Sequence, residues 1–276
     1  MVLAALFWST SGLLIKVISL DAVSIAGWRS LCAGIALMLI ARALRVRIGV
    51  PRSLHSWSTV ACYALILLLF VAATKLTTAA NAIFLQYTAP AYVLLLEPVF
   101  LHTRFKLRDL GFVAFALGGM SLFFVGKMQS GSLRGNLLGL ASGIAFAIFA
   151  LLIRSRHDDE RARWQAVIWG NFVLFAATFL WRLTQGSGLS WPEGRAQLLG
   201  VLFLGVVQIG IAYAFFTYAI AHLSALEGTL VAMLEPVLNP VWVYLGTGEA
   251  PSHWAIIGGS LIIGTVAVRS LFEGRD

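Results

Sequence analysis

The chain has 276 residues, of which 59% are hydrophobic and 12% charged, with a formal net charge of +8 and a mean hydropathy of +0.88. This balance excludes an ordinary soluble globular protein, leaves no room for a large soluble domain and predicts an integral membrane protein. The basic excess is then a matter of topology, because Lys and Arg gather on cytoplasmic loops, and no nucleic-acid partner is expected.

Met1 runs straight into an apolar segment without a basic n-region, which argues against a cleaved signal peptide. Ten spans follow in chain order, near 2–19, 23–43, 56–73, 79–101 and 107–125, then 133–153, 164–183, 197–221, 224–246 and 253–271. Cys32 and Cys62 fall inside apolar spans and read as small core residues, without a disulfide framework. One set of alternate loops carries Arg42, Arg45, Arg47, Arg52, Arg104, Lys106, Arg108, Arg154, Arg156, Arg161, Arg163, Arg269 and Arg275. The other set carries Lys75, Lys127, Arg134, Arg182 and Arg195. Thirteen against five predicts that both termini are cytoplasmic.

Spans 4 and 9 stand out. Span 9 combines Glu227, Glu235, Pro236 and Asn239, and span 4 combines Asn81, Gln86, Tyr87, Pro90 and the pair Glu97-Pro98. Carboxylates and helix-breaking prolines at membrane depth mark protein-facing or water-lined positions. Two such spans in corresponding halves point to a transporter's central site. A shift of 146 residues puts Pro90 on Pro236, Asn81 on Glu227 and Thr78 on Ser224; a shift of 141 puts Trp28 on Trp169, and one of 138 puts Lys16 on Arg154. Five spans is an odd number, so the second half lies upside down. The predicted fold class is an all-α integral membrane protein of ten transmembrane helices, two inverted five-helix repeats covering 1–128 and 129–276.

Motifs then narrow the class. Phe7-Trp8-Ser9 with Lys16, Trp28-Arg29, Leu234-Glu235-Pro236 and the glycines Gly258, Gly259 and Gly264 resemble the drug/metabolite transporter superfamily, in particular its EamA-type exporters. The resemblance covers essentially the whole chain and is closest to the YddG-like branch. It implies a multi-pass protein of the cell inner membrane that exports neutral and aromatic amino acids from the cytoplasm by alternating access. One departure is that span 4 has Ala89-Pro90 where span 9 has Glu235-Pro236, so the two halves need not contribute equally.

Gly135, Gly139, Gly143 and Ala147 in span 6, and Gly111, Ala114 and Gly118 in span 5, form small-residue faces for close helix approach. Asn81, Thr88 and Tyr92 share one helical face of span 4, with Phe84 between, and either line a solute cavity or tie helices together. Tyr87 and Gln86 point elsewhere and could form an opposite rim. Among aromatics inside spans, Trp8, and Trp169 beside Gly170 and Asn171, are favoured for the cavity; Tyr213, Trp28 and Tyr218 also lie within spans, whereas Trp57, Trp164, Trp181, Trp191 and Trp254 form an interfacial belt. Lys16 is placed to snorkel. Arg29 is deep enough to face the bundle, either attracting a substrate carboxylate or holding backbone carbonyls. Glu235 either couples protons or, with Pro236 and Pro90, fixes kinks; Glu227 and Glu97 are expected to be hydrated at cytoplasmic ends.

All five histidines lie at span ends or in loops and no span interior holds an aspartate, so neither an enzyme nor a metal site is expected. No cofactor is expected. The expected partners are a small-molecule substrate, an amino acid, and the lipid bilayer, with the protein acting as a monomer. Export of another small metabolite or an organic cation is the alternative within the superfamily, and a channel or receptor the alternative outside it.

Overall fold

The structure is a computed structural model that describes residues 1–125, 132–247 and 252–273. Lys127, Arg275 and the side chain of Asn239 lie outside the described residues. Among those described, every regular element is helical. Seven helical stretches are long and apolar enough to cross a bilayer: Ala22–Ala43 (span 2), Leu54–Leu76 (span 3), Ala79–Leu101 (span 4), Leu133–Arg154 (span 6), Glu160–Thr184 (span 7), Gly194–Ala219 (span 8) and His253–Leu271 (span 10). Span 1 is two short helices, Val2–Trp8 and Ser11–Val17, span 5 is Leu107–Phe123, and span 9 is Ala225–Ala232 followed by Leu234–Thr247. Among the described residues, helices thus occupy all ten stretches that hydropathy marks out, seven of them long and apolar enough to cross by themselves.

Helix starts are set by short polar side chains that accept otherwise unpaired backbone N–H groups. Asp21 caps span 2, Ser53 span 3 and Asp159 span 7. The repeat reappears at this level. Thr78 Oγ1 accepts from the Asn81 N–H at 3.0 Å and Ser224 Oγ from the Glu227 N–H at 3.1 Å, each opening an eight-residue half-helix.

The exterior is apolar: Leu65, Leu95, Phe115, Leu199 and Leu271 are exposed, as is Tyr218, which faces outward. The interior holds Arg29, Asn81, Asn171, Gln208 and Glu235, all buried. That distribution is what a lipid solvent selects, since polar groups can be satisfied only inside.

Packing obeys an exchange of halves. Spans 2 and 8 meet as spans 7 and 3 do, spans 3 and 6 as spans 8 and 1, and spans 2 with 7, 4 with 9 and 5 with 10 pair across the exchange. An odd number of crossings per half makes that exchange a rotation about a pseudo-two-fold axis in the membrane plane.

Span 6 lays its glycine face on span 4. A Cβ at Gly143 would stand 2.8 Å from the carbonyl oxygens of Leu85 and Gln86. The predicted face of span 5 is corrected: Gly111 and Gly118 have nothing within 4 Å, and it is Gly119 that abuts Gly258 of span 10, where a Cβ would lie 2.9 Å from the Gly258 carbonyl oxygen. Glu227 is also corrected. It is buried, and its Oε1 accepts from Ser270 Oγ at 3.1 Å.

Candidate functional site

Four spans are interrupted, each for a local reason. In span 1, Ser9 and Thr10 turn their hydroxyls back onto the carbonyls of Leu6 and Phe7 at 2.6 and 2.7 Å, competing with the helical ladder. In span 4, Pro90 has no N–H for the carbonyl of Gln86, and the helix breaks at Tyr87 and Thr88, whose Oγ1 bonds to Leu85 O at 2.6 Å. In span 9, Pro236 likewise cannot reach Ala232, and the helix breaks at Met233. Span 8 widens into a π-helix over Leu204–Ile211, a geometry that is rare and often found at functional sites. Gly205 lets this segment press on span 2; a Cβ there would lie 2.6 Å from the Arg29 carbonyl oxygen.

All four interruptions meet at one cavity. Trp8 and Ser11 reach it from span 1, Gln86 and Tyr87 from span 4, Gln208 and Ile209 from the π-helix, and Glu235 from span 9. Arg29, Tyr213, Phe146 and the span 3 residues Ile66, Leu67 and Phe70 complete the wall. The cavity volume is about 40 Å³, room for a few water molecules only.

The wall is rich in polar groups that the protein itself leaves unpaired. Arg29 is 1% exposed, and only its Nη2 is engaged, donating to Leu67 O at 3.0 Å. Its Nε and Nη1, the indole Nε1 of Trp8 and the Oε1 of Gln208 have no hydrogen-bond partner. A buried donor or acceptor left unpaired costs about 1–3 kcal/mol, and more when charged. Four such atoms around one cavity therefore favour occupants that bring both an acceptor and a donor. Across the cavity Tyr87 Oη donates to Glu235 Oε2, joining the two halves at their breaks. Aromatic rings form a column through the wall: Trp8 and Tyr213 centroids lie 5.0 Å apart, and Tyr213 meets Tyr63 edge-on at 4.7 Å.

Of the residues predicted for a site, Trp8, Arg29, Tyr87, Tyr213 and Glu235 line this cavity, with Pro90 and Pro236 buried just behind the breaks. Asn81, Phe84, Thr88, Tyr92, Trp169 and Asn171 are not among the lining residues. Asn81 Nδ2 donates to Thr77 Oγ1 and Asn136 Oδ1, both at 3.2 Å, so it ties spans 3, 4 and 6 together. Phe84 meets Phe124 edge-on, Thr88 bonds within the break, and Tyr92 is half-buried on the far side of it. Trp169 donates to Gly49 O at 2.9 Å. Asn171 stands one layer out, donating to Tyr63 Oη at 3.0 Å. Gln208 and Ser11 were not singled out by sequence reasoning. Gln208 carried a signal, being the lone polar side chain in the run Leu204–Ile211.

Both ends of the bundle are tied by basic side chains, of which Lys16 and Arg154 stand at repeat-related positions. Lys16, exposed near the end of span 1, donates to Thr77 O at 2.6 Å, and Lys75 reciprocates to Ile18 O at 2.6 Å. At the opposite end Arg154 donates to Ala221 O at 2.9 Å and Arg163 to Thr217 O at 3.0 Å. Trp28 lies at the Lys16 end, donating to Ser190 O and packing on Trp191.

Residues 1–125, and again 133–271, match the EamA-like transporter family. An uncharacterized protein of Pseudomonas aeruginosa is 29% identical over 284 residues, covering 99% of this chain and 96% of that one. An uncharacterized transporter of Archaeoglobus fulgidus is 26% identical over 199 residues, 72% of this chain and 70% of its own. A probable terminal-alkyne amino-acid exporter of Streptantibioticus cattleyicolor is 24% identical over 200 residues, 71% and 66% respectively. A solved crystal structure superposes with a TM-score of 0.80 at 19% identity, covering 98% of this chain and 95% of that chain, a likeness of fold.

Proposed function

The chain belongs to the EamA-like transporter family of membrane transporters, and from that premise we propose that it exports neutral and aromatic amino acids across the cell membrane by alternating access. The observation that carries this reading is the set of unpaired groups around the central cavity. Arg29 offers two unpaired nitrogens, Nε and Nη1, suited to a carboxylate, while Glu235 and the Oε1 of Gln208 suit an ammonium group. Trp8 and Tyr213 supply apolar area for a side chain. The name of the Streptantibioticus relative is in keeping with such a solute.

A volume of about 40 Å³ is too small for an amino acid, so transport in this reading requires the cavity to enlarge. The breaks at Thr10, Thr88 and Met233 are the places where half-helices can swing, and the ties made by Lys16 and Arg154 open in alternation. The reading divides the chain into moving halves at 1–128 and 129–276, with both termini in the cytoplasm, as the basic-residue asymmetry favours. Asn81, Phe84, Thr88, Tyr92, Trp169 and Asn171 support the wall from behind and do not touch the solute.

An organic cation is a second reading, favoured by the Glu235 carboxylate among aromatic rings; buried Arg29 opposes it. The test is flux by the purified protein in liposomes, over a panel of neutral and aromatic amino acids and organic cations. Uptake of amino acids is expected. Failure across the amino acid panel with movement of a cation would establish the second reading.

A further inference from the structure

A second recess, about 220 Å³ and so larger than the central cavity, lies at the arginine-rich end of spans 3 and 7. Arg52, Arg156 and Arg161 line it together with Ser53, Ser56 and Asp159. Three guanidinium groups face one carboxylate there, and that carboxylate is already engaged. Asp159 Oδ1 accepts from the Ala162 N–H at 2.9 Å as the cap of span 7, and its Oδ2 stands 4.0 Å from Arg156 Nη1. Beside the recess His55 Nδ1 is buried without a partner, facing a smaller hollow that shares Ser56 and Arg156.

The recess is built, not merely a place where basic loops happen to lie. Buried Gln165 and half-buried Trp169 both donate to the carbonyl of Gly49, at 2.8 and 2.9 Å. Those bonds pin the connection between spans 2 and 3, from the first half, onto span 7 of the second. Arg161 lies so close over Gly49 that a side chain there would strike its Nη2. The flank is apolar and outward-facing: Val50 lines the recess and is 55% exposed, and Leu54 and Trp57, one turn apart on span 3, are 85% and 40% exposed.

We propose that this recess binds the phosphate headgroup of an anionic phospholipid, with the acyl chains lying along Val50, Leu54 and Trp57. Guanidinium groups pair with phosphate oxygens through charge-assisted hydrogen bonds, and basic pockets at the membrane surface draw anionic lipids. The apolar flank selects the lipid over free phosphate, which would use the arginines alone. Because Arg52 belongs to the first half and Arg156 and Arg161 to the second, a bound headgroup bridges the halves and holds this end closed.

The test uses the purified full chain in detergent, read by native mass spectrometry and by thermal unfolding, with phosphatidylglycerol, phosphatidylcholine or inorganic phosphate added. Phosphatidylglycerol is expected to stay bound and raise the unfolding temperature by several degrees, with phosphatidylcholine and phosphate doing neither. The triple variant Arg52→Gln, Arg156→Gln, Arg161→Gln is expected to bind it at least about tenfold more weakly, while a control with Arg42→Gln, Arg45→Gln and Arg104→Gln keeps the affinity. Equal protection by phosphatidylcholine, equal protection by inorganic phosphate, unchanged binding in the triple variant, or equal loss in the control would each overturn the proposal. Should the triple variant fail to fold, Arg161→Gln alone decides: reduced lipid retention supports the site and unchanged retention overturns it.

Discussion

Tyr87 and Glu235, 148 positions apart, are joined by a hydrogen bond from the phenol to the carboxylate, and each stands within two residues of the break in its own span. The bond spans the two halves at the level of the cavity. Tyr87→Phe removes the donor and leaves Glu235 without it, at a cost of about 1–3 kcal/mol for a buried group. Combined with Glu235→Gln, the pair should show a coupling energy of about 1 kcal/mol or more in a double-mutant cycle of thermal stability. Strictly additive single effects would mean that the two side chains are not linked in the folded protein.

Arg29 should act on the carboxylate of the solute. Arg29→Gln keeps a donor to Leu67 O but removes the charge, and the apparent KM for an amino acid should rise about tenfold, equivalent to about 1.4 kcal/mol. The decarboxylated amine of the same side chain should be affected far less. Equal losses for both would give Arg29 a purely structural role.

Asn81 and Tyr92 make a contrasting pair. Asn81→Ala breaks the link to Thr77 and Asn136 and should lower thermal stability by about 1 kcal/mol, leaving KM unchanged in the protein that folds. Tyr92→Ala should leave KM unchanged as well. A several-fold rise in KM in either variant would put that face of span 4 in contact with the solute.

Glycines on two faces should respond differently. Gly143→Ala forces a methyl group against two carbonyl oxygens of span 4, whereas Gly118→Ala meets nothing within 4 Å. Thermal unfolding should therefore fall for Gly143→Ala by about 1–3 kcal/mol and hold for Gly118→Ala. The opposite order would reverse the assignment of the span 6 face.

Lys16 and Arg154 should govern opposite entrances. With Ser11→Cys as a cavity probe, in a background lacking Cys32 and Cys62, Lys16→Gln should raise labelling by an impermeant thiol reagent from one side only. Arg154→Gln should raise it from the other side. Cysteines replacing Arg47 and Gly188 identify the two sides. Increases from the same side in both variants would show that the two ties do not alternate.

Ten apolar stretches, two similar halves and the proline interruptions of spans 4 and 9 are legible in the residues alone. Hydropathy marks the first, because a crossing needs about 20 predominantly apolar residues. Pro90 and Pro236 fix the breaks, because an absent N–H is a local chemical fact, and Thr78 and Ser224 mark the helix starts for the same kind of reason. The depth of Arg29 likewise pointed inward, since lipid exposure would cost about 2.5–3.5 kcal/mol. Which faces converge emerges only from the packing of the spans. Asn81, Thr88 and Tyr92 share a face only if span 4 is one continuous helix; the break at Tyr87 and Thr88 resets the rotation, so Gln86 and Tyr87 reach the cavity and Tyr92 does not. The π-helix of span 8 changes the periodicity that any sequence reading assumes, and so it turned Gln208 inward unannounced. Trp169 was drawn away from the cavity by the carbonyl of Gly49, 120 positions distant, a partner that chain folding alone brings within reach.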